Sequence, residues 1–111
     1  MKLLDVDADG RAINAATGMI RARWRDGFDR ARLLAPGEIV EYRIWLRATA
    51  VRFASGHRIR LDVTCSDFPN FDRNHNTGGD DVRETEFRVA RQTIWFGGER
   101  PSRLELPVVT T

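Results

Sequence analysis

The feature that most constrains the fold of this chain is an alternation of apolar and polar residues along several short segments. Between residues 40 and 47 every second side chain is aliphatic or tyrosine, and charged residues or tryptophan stand between them. The same period of two recurs at 20–25, 58–65 and 103–108. Successive side chains of a strand point to opposite faces, so each segment predicts a β-strand with one apolar and one solvated face.

Turn-forming residues separate these segments, with glycine or proline in each interruption. The pattern predicts strands near residues 2–7, 19–25, 38–47, 57–65, 86–96 and 102–109. Short strands separated by such turns predict an all-β fold, an antiparallel β-sandwich, in a single domain over residues 1–111. Its expected core is aliphatic apart from one tyrosine: Val40, Tyr42, Ile44, Leu46, Ile59, Leu61, Val63, Leu104 and Leu106. Cys65, the single cysteine, continues one apolar face and is expected to be buried there.

The charge distribution argues against a nucleic-acid partner. Eighteen basic and sixteen acidic residues are interleaved along the chain and leave a net charge of +2, so no basic block stands out. No apolar run is long enough to cross a membrane or to form a secretory signal, and we therefore expect no membrane partner and a cytoplasmic location. All but one of the basic residues are arginine, a bias that suggests a bacterial source.

Residues that could carry catalysis or bind a metal form no convincing pattern. No serine lies in a Gly-x-Ser-x-Gly turn, and the one conceivable triad, Ser66 with His75 and Asp72, is an arrangement that chance often supplies. Asp5–Gly10 matches the start of an EF-hand loop, but Ala16 stands where the bidentate glutamate is needed. Two histidines and one cysteine give no zinc spacing. We therefore predict no catalytic residue, no metal site and no cofactor.

The sequence offers better candidates for residues that bind a ligand or a protein partner. Trp45 and Trp95 lie on predicted strands, and Trp45 falls on the polar face. Exposed tryptophans of a sandwich stack on sugar rings or form protein interfaces, although they also cover the edge of a core. The irregular segment 67–78 is long and polar, and ordered loops of this length are often functional. The candidate ligand or partner residues are two tryptophans and six loop residues: Trp45, Trp95, Phe68, Phe71, Asp72, Arg73, Asn74 and His75.

The same loop carries a family resemblance. Ser66-Asp67-Phe68-Pro69, then Phe71-Asp72-Arg73-Asn74 and Asn76-Thr77-Gly78, resemble the signature of the C-terminal domain of the X-prolyl dipeptidyl aminopeptidase, cocaine esterase and α-amino-acid ester hydrolase family. Further pieces agree in the same order along nearly the whole chain, including Arg21-Ala22-Arg23-Trp24-Arg25, Leu34-Ala35-Pro36-Gly37-Glu38 and Pro101-Ser102-Arg103-Leu104-Glu105-Leu106-Pro107. Asn70 and His75 depart from it, since the family has Arg and Pro at these places.

The resemblance implies a jelly-roll domain, similar to galactose-binding-like folds, that lies beside a separate α/β-hydrolase domain carrying the catalytic triad. It transfers no catalytic residue to this chain. The family's jelly roll begins with further strands before the segment that matches residues 2–7, so this chain resembles only the later part of the domain. A partial sandwich has unpaired edges, and we expect these edges to pair with a second copy, by strand pairing or swapping, or with a hydrolase domain.

The predicted function is therefore that of a non-catalytic accessory module of a serine hydrolase of this family, or a free-standing remnant of one, serving domain packing or partner binding. The alternative is a small-ligand or carbohydrate-binding domain that uses Trp45 or Trp95 and the 67–78 loop. A concave surface with an exposed tryptophan beside that loop favours the alternative, whereas a broad apolar patch favours docking. A composite catalytic site in a homodimer is a third possibility, and it requires Ser66.

Overall fold

The computed structural model describes residues 1–109 and divides into two compact units, Met1–Asn74 and a second that begins at His75. The first unit contains a three-stranded antiparallel sheet in the order β2-β1-β3. Its strands are β1 (Lys2–Val6), β2 (Ala12–Thr17) and β3 (Arg58–Asp62), and a 3-10 helix spans Ala22–Trp24. None of the described residues belongs to a helix long and apolar enough to cross a membrane.

A tight acidic turn joins β1 to β2. The carboxylate of Asp7 accepts hydrogen bonds from the backbone N–H groups of Asp9, at 3.0 Å, and Arg11, at 2.8 Å. The carbonyl of Asp7 accepts a third bond from Gly10, whose φ of 87° lies in the region that glycine adopts without strain. The Asp-rich segment therefore closes a hairpin, and Asp7 serves the backbone of the turn.

A bulge interrupts the hairpin between Leu3 and Leu4, which pair with Ala16 and Asn14 and leave Ala15 as the extra residue of β2. The hydroxyl of Thr49 donates to the carbonyl of Ala15 at 2.9 Å. A backbone carbonyl that is not paired within the sheet needs another hydrogen-bond donor. Here the donor is Thr49, and its bond fastens the segment after Trp45 to β2.

Strand β3 pairs with the other edge of β1, with Leu3 opposite Leu61 and Val6 opposite Arg58. A side-chain contact supports this pairing, because His57 Nδ1 lies 2.8 Å from Asp5 Oδ1. β1 is thus the central strand, and its apolar residues Leu3, Leu4 and Val6 are the buried hydrophobic side chains of the described structure. Both faces of β1 contribute, since Leu3 and Leu4 point in opposite directions.

The prediction of the core residues is wrong. None of the nine residues expected to form it is buried: Tyr42, Ile59 and Val63 are exposed, and Val40, Ile44, Leu46, Leu61, Leu104 and Leu106 are of intermediate exposure. Cys65 is also exposed, against expectation. Alternation shows that a segment has an apolar face, but only a second layer packed on that face buries it.

The strand predictions are correct for 2–7 and, in its middle, for 57–65. No strand lies at 38–47, 86–96 or 102–109, all of which the structure describes, and β2 was not anticipated. The described residues are mostly irregular, with a small three-stranded antiparallel sheet and little helix, and they form no sandwich. Apolar alternation becomes a strand only where a neighbouring strand supplies the hydrogen bonds.

The prediction of a strand at 19–25 is wrong, because the 3-10 helix replaces it. Arg25 fixes this region from a position where its side chain is only 9% exposed. Its Nη1 donates to the carbonyls of Ala22, at 3.0 Å, and Arg32, at 2.6 Å, and its Nη2 lies 3.6 Å from a carboxylate oxygen of Glu38. A largely buried guanidinium with several acceptors holds the chain in a turn that the alternation pattern does not reveal.

The first part of the second unit is organised by polar contacts around a turn at residues 80–84. Backbone N–H groups of Arg83 and Glu84 donate to the carbonyl of Asp80, and the hydroxyl of Thr77 donates to the Glu84 carboxylate. The backbone N–H of Arg88 donates to the carbonyl of His75 at 2.9 Å. These bonds order residues 75–88 without a regular element.

We predict that Leu3→Ala lowers the free energy of unfolding by about 2–5 kcal/mol, because it leaves a cavity at a side chain that is 2% exposed. Ile13→Ala on β2, where the side chain is 54% exposed, is the matched control and should change it by about 0.5 kcal/mol or less. Urea denaturation followed by circular dichroism measures both. Equal losses in the two variants would show that β1 is not the core.

Candidate functional site

A groove of about 710 Å³ lies in the first unit, between the end of the β1–β2 hairpin, the segment after Ile44 and the start of the 67–78 loop. We name it the Trp45 groove after its most exposed large side chain, which is 80% exposed. The lining residues come from these three parts of the chain: Lys2, Asn14, Ala16, Thr17, Gly18, Met19, Trp45, Leu46, Arg47, Ala48, Asp67, Asn70 and Phe71. The structure thus brings together two sequence-predicted site residues, Trp45 and Phe71.

Close backbone packing places the tryptophan on the hairpin. A Cβ atom added at Gly18 would lie 2.3 Å from the carbonyl oxygen of Trp45 and 3.1 Å from the Cα of Leu46. Only glycine permits this approach. Arg47, two residues on, has φ of 66°, a left-handed conformation that turns the chain immediately beyond the tryptophan.

The opposite wall is fixed by an ion pair. Lys2 Nζ lies 2.8 Å from Asp67 Oδ1, and the Asn70 side-chain amide donates to Asp67 Oδ2 at 3.3 Å. The backbone N–H of Phe71 donates to the carbonyl of Asp67 at 3.1 Å, which closes the turn below the aromatic ring. The Lys2 ammonium first, and then the Asn70 amide, hold the pKa of Asp67 below its ordinary value.

The other predicted residues of the loop's first half lie outside the groove lining. Phe68 is 67% exposed and follows the groove residue Asp67. Asp72 accepts a hydrogen bond from Arg21 Nη2 at 2.6 Å, so it fastens the loop to the segment before the 3-10 helix. Arg73 and Asn74 are exposed at the end of the first unit.

His75 and Trp95 belong to the second unit, where each has a local structural contact. The His75 side chain is buried, its ring meets that of Phe87 edge-on at 4.1 Å, and its Nδ1 lies 3.7 Å from Asp81 Oδ1. The Trp95 ring lies under the guanidinium of Arg100, 5.1 Å from the ring centroid. Neither residue lines the Trp45 groove.

A second cavity, of about 520 Å³, surrounds the ion pairs of Arg25. Arg32 Nη1 donates to Asp26 at 2.7 Å, and Glu38 faces Arg25, so opposite charges are matched within the cavity wall. Burial raises the pKa of the neighbouring Tyr42 hydroxyl above its ordinary value. These charged groups are already paired with one another. Their ion pairs hold the turn together, and we do not treat the cavity as a binding site.

The described residues do not assemble a catalytic centre. The Asp72 carboxylate binds Arg21, and the Ser66 hydroxyl accepts a bond from the backbone of Phe68, so the conceivable triad has other partners. No hydrogen bond of the described structure joins His57, which binds Asp5, to a serine or cysteine. No cluster of three metal-ligating side chains occurs within residues 1–109.

What the groove offers is an exposed aromatic plane beside amide, ammonium and carboxylate groups. Sequence reasoning selected Trp45 and Phe71 but missed Lys2, Asp67 and Asn70. The spacing Asp67-x-x-Asn70 in a turn-rich loop was an available signal, because Asp and Asn at such positions bind one another and the local backbone. Nothing in the sequence connects Lys2 to this loop.

We predict that Gly18→Ala displaces the Trp45 segment and lowers the free energy of unfolding by about 1–3 kcal/mol, because backbone atoms cannot yield to the added methyl group. Gly79→Ala is the matched control, since the atoms nearest to its Cβ would be those of the Glu84 side-chain carboxylate rather than backbone, and it should cost less. Urea denaturation and tryptophan fluorescence measure the two effects. A larger loss for Gly79→Ala would contradict this account of the groove wall.

A second prediction follows from the lowered pKa of Asp67. A carboxyl whose pKa is lower in the folded chain contributes stability at pH values above its ordinary pKa, and this stability is lost as the pH falls through the lowered folded value. Asp67→Asn should therefore remove part of the acid-induced loss of stability, whereas Asp9→Asn in the exposed hairpin turn should leave that loss in place. Urea denaturation across a series of acidic pH values measures the difference; identical profiles for both variants would refute it.

Comparison with known proteins confirms the family resemblance. Residues 1–105 match the family described as the X-Pro dipeptidyl-peptidase C-terminal non-catalytic domain. The chain is 44% identical over 110 residues to cocaine esterase of Rhodococcus sp. (strain MB1 Bresler), a match that covers 97% of this chain and 19% of that protein. No solved structure matches the chain. The chain spans about one fifth of the length of this relative, and it belongs to the C-terminal non-catalytic domain family of the X-Pro dipeptidyl-peptidases, whose catalytic portion lies outside it.

Proposed function

We propose that the chain is the accessory part of a serine hydrolase of this family and that it packs against the remaining part of such a protein. The observation that carries this proposal is the scarcity of buried apolar side chains. Leu3, Leu4 and Val6 are the ones buried in the described structure, whereas twenty large hydrophobic residues are exposed. A protein surface seldom carries so much apolar area unless another surface covers it.

Five of these exposed residues lie within ten consecutive residues of the second unit, which we name the apolar segment 87–96. Val89 is 96% exposed and Phe96 is 81% exposed, and Phe87, Ile94 and Trp95 are about half exposed. The sequence predicts a strand here, and the segment has no strand partner in the described structure. We propose that it becomes a strand of a complete jelly-roll sandwich when the family's remaining strands are present.

The occupant to which we commit is the portion that lies outside the match in the family relative. Cocaine esterase has about four fifths of its length outside the matched part, enough for both the missing strands and a hydrolase domain. A second copy of this chain is the competing occupant, because β2 and β3 are both edge strands of the sheet. Each fully buried aliphatic or aromatic side chain would contribute about 1.5–3 kcal/mol to either assembly.

The test replaces the matching 110 residues of cocaine esterase with those of this chain. We expect the chimera to hydrolyse cocaine and to unfold in one cooperative transition, because the accessory surface of this chain fits the esterase portion. An esterase with the segment deleted should lose thermal stability. If the deleted protein were as stable and active as the chimera, packing would not be the role of this chain.

Substitutions in the apolar segment 87–96 test whether this segment contacts the esterase portion of the chimera. Val89→Asp combined with Phe96→Asp should lower the midpoint of thermal unfolding of the chimera by several degrees, because each would bury an unpaired charge. Val82→Asp is the matched control, since this valine is 90% exposed in the neighbouring polar turn. Equal midpoints for the two proteins would overturn the proposal. A stable dimer of the isolated chain with segment 87–96 protected from hydrogen exchange would assign the surface to a second copy instead.

A further inference from the structure

The Trp45 groove offers polar groups beside its exposed aromatic side chain, and apolar packing does not account for those polar groups. It lies in the first unit, apart in sequence from the apolar segment 87–96, and it has polar groups as well as an aromatic plane. We propose that it is a binding site for a neutral carbohydrate of two or three pyranose rings, with one ring stacked on Trp45. This proposal goes beyond the accessory function and does not depend on it.

The first support is the way Trp45 is presented. Its side chain is 80% exposed although its backbone is packed against Gly18 and the segment that follows is fastened by the bond from Thr49 to Ala15. The backbone that carries the indole is therefore fixed before binding, which reduces the ordering that a ligand must impose. One face of a pyranose ring is made of C–H groups, which match the electron-rich face of an aromatic ring.

The second support is the set of polar groups on the facing wall. The two oxygens of Asp67 accept from Lys2 and Asn70, and each oxygen has capacity for a further bond. Asn14 and Thr17 line the hairpin side, where their side chains are 2.9 Å apart. Sugar hydroxyls both donate and accept, so they need mixed donors and acceptors of this kind rather than a uniformly charged surface.

The charges of the lining favour a neutral ligand. Lys2 is paired with Asp67 at 2.8 Å, which leaves Arg47 as the cation in excess among the lining residues. One surplus charge is far from the cluster of phosphate contacts that a nucleic acid requires. The volume of about 710 Å³ lies within the range of sites for small organic ligands, which is typically about 300–1,000 Å³. A purely apolar ligand would not use the remaining hydrogen-bonding capacity of the Asp67 carboxylate and the Asn70 amide.

The test titrates the 111-residue chain with cellotriose and with maltotriose, followed by tryptophan fluorescence and isothermal calorimetry. We expect at least one of them to bind at concentrations up to about 10 mM. Trp45→Ala should weaken that binding by about tenfold or more, Trp45→Phe by less, and Asn70→Ala should weaken it without removing the aromatic plane. Trp95→Ala is the matched control, because this tryptophan lies in the second unit under Arg100, and it should leave the affinity unchanged.

A second measurement keeps the proposal testable if Trp45→Ala does not fold. In NMR titrations of the wild-type chain, the indole N–H of Trp45 and the side-chain amide of Asn70 should shift with added saccharide, and the indole of Trp95 should not. Three results would overturn the proposal: no binding of either trisaccharide, binding that Trp45→Ala leaves unchanged, or a proline-rich peptide that binds the groove where neither sugar does. The chimera test of the accessory function uses no saccharide. A failure of that test can therefore be distinguished from a failure of the carbohydrate proposal.

Discussion

The pairing of β1 with strands on both of its sides is the interaction on which the described structure depends. Lys2–Val6 supplies every strand ladder of the sheet, the buried apolar side chains, and two anchoring charges. Asp5 binds His57 at the start of β3, and Lys2 binds Asp67 at the start of the long loop. A strand of five residues therefore connects parts of the chain that are more than fifty residues apart in sequence.

The two proposed surfaces differ in their chemistry because they differ in what holds them in place. The Trp45 groove is built from backbone packing at Gly18, the Thr49 bond and the Asp67 ion pair, so its polar groups are already oriented. The apolar segment 87–96 is held by hydrogen bonds to the backbone of Arg88 and Trp95, and it exposes Val89 and Phe96 almost completely. An oriented mixture of polar and aromatic groups suits a small ligand, whereas an exposed apolar segment suits burial against protein.

Part of the candidate site was within reach of the sequence. The tryptophan on the polar face of an alternating segment and the phenylalanine of the irregular loop both line the groove, as an exposed aromatic and a loop anchor would. His75 and Trp95 were selected by the same reasoning, but they lie in the second unit against Phe87 and Arg100. The residue type shows that a side chain is able to bind a ligand. Whether another part of the protein already contacts that side chain depends on the tertiary structure, which a local sequence pattern does not show.

The sequence by itself determined that the sheet is antiparallel and that helix is scarce. It also determined the strands around residues 2–7 and 57–65, the acidic turn and the family, because alternation, turn residues and ordered motifs are local properties. Tertiary structure alone decided which apolar residues are buried, since burial at Leu3 or exposure at Ile59 depends on what packs against each face. It also decided that 22–24 is a 3-10 helix, because the Arg25 guanidinium binds carbonyls on both sides of the turn. The groove also depends on tertiary structure, because the ion pair from Lys2 to Asp67 joins segments that are far apart in sequence.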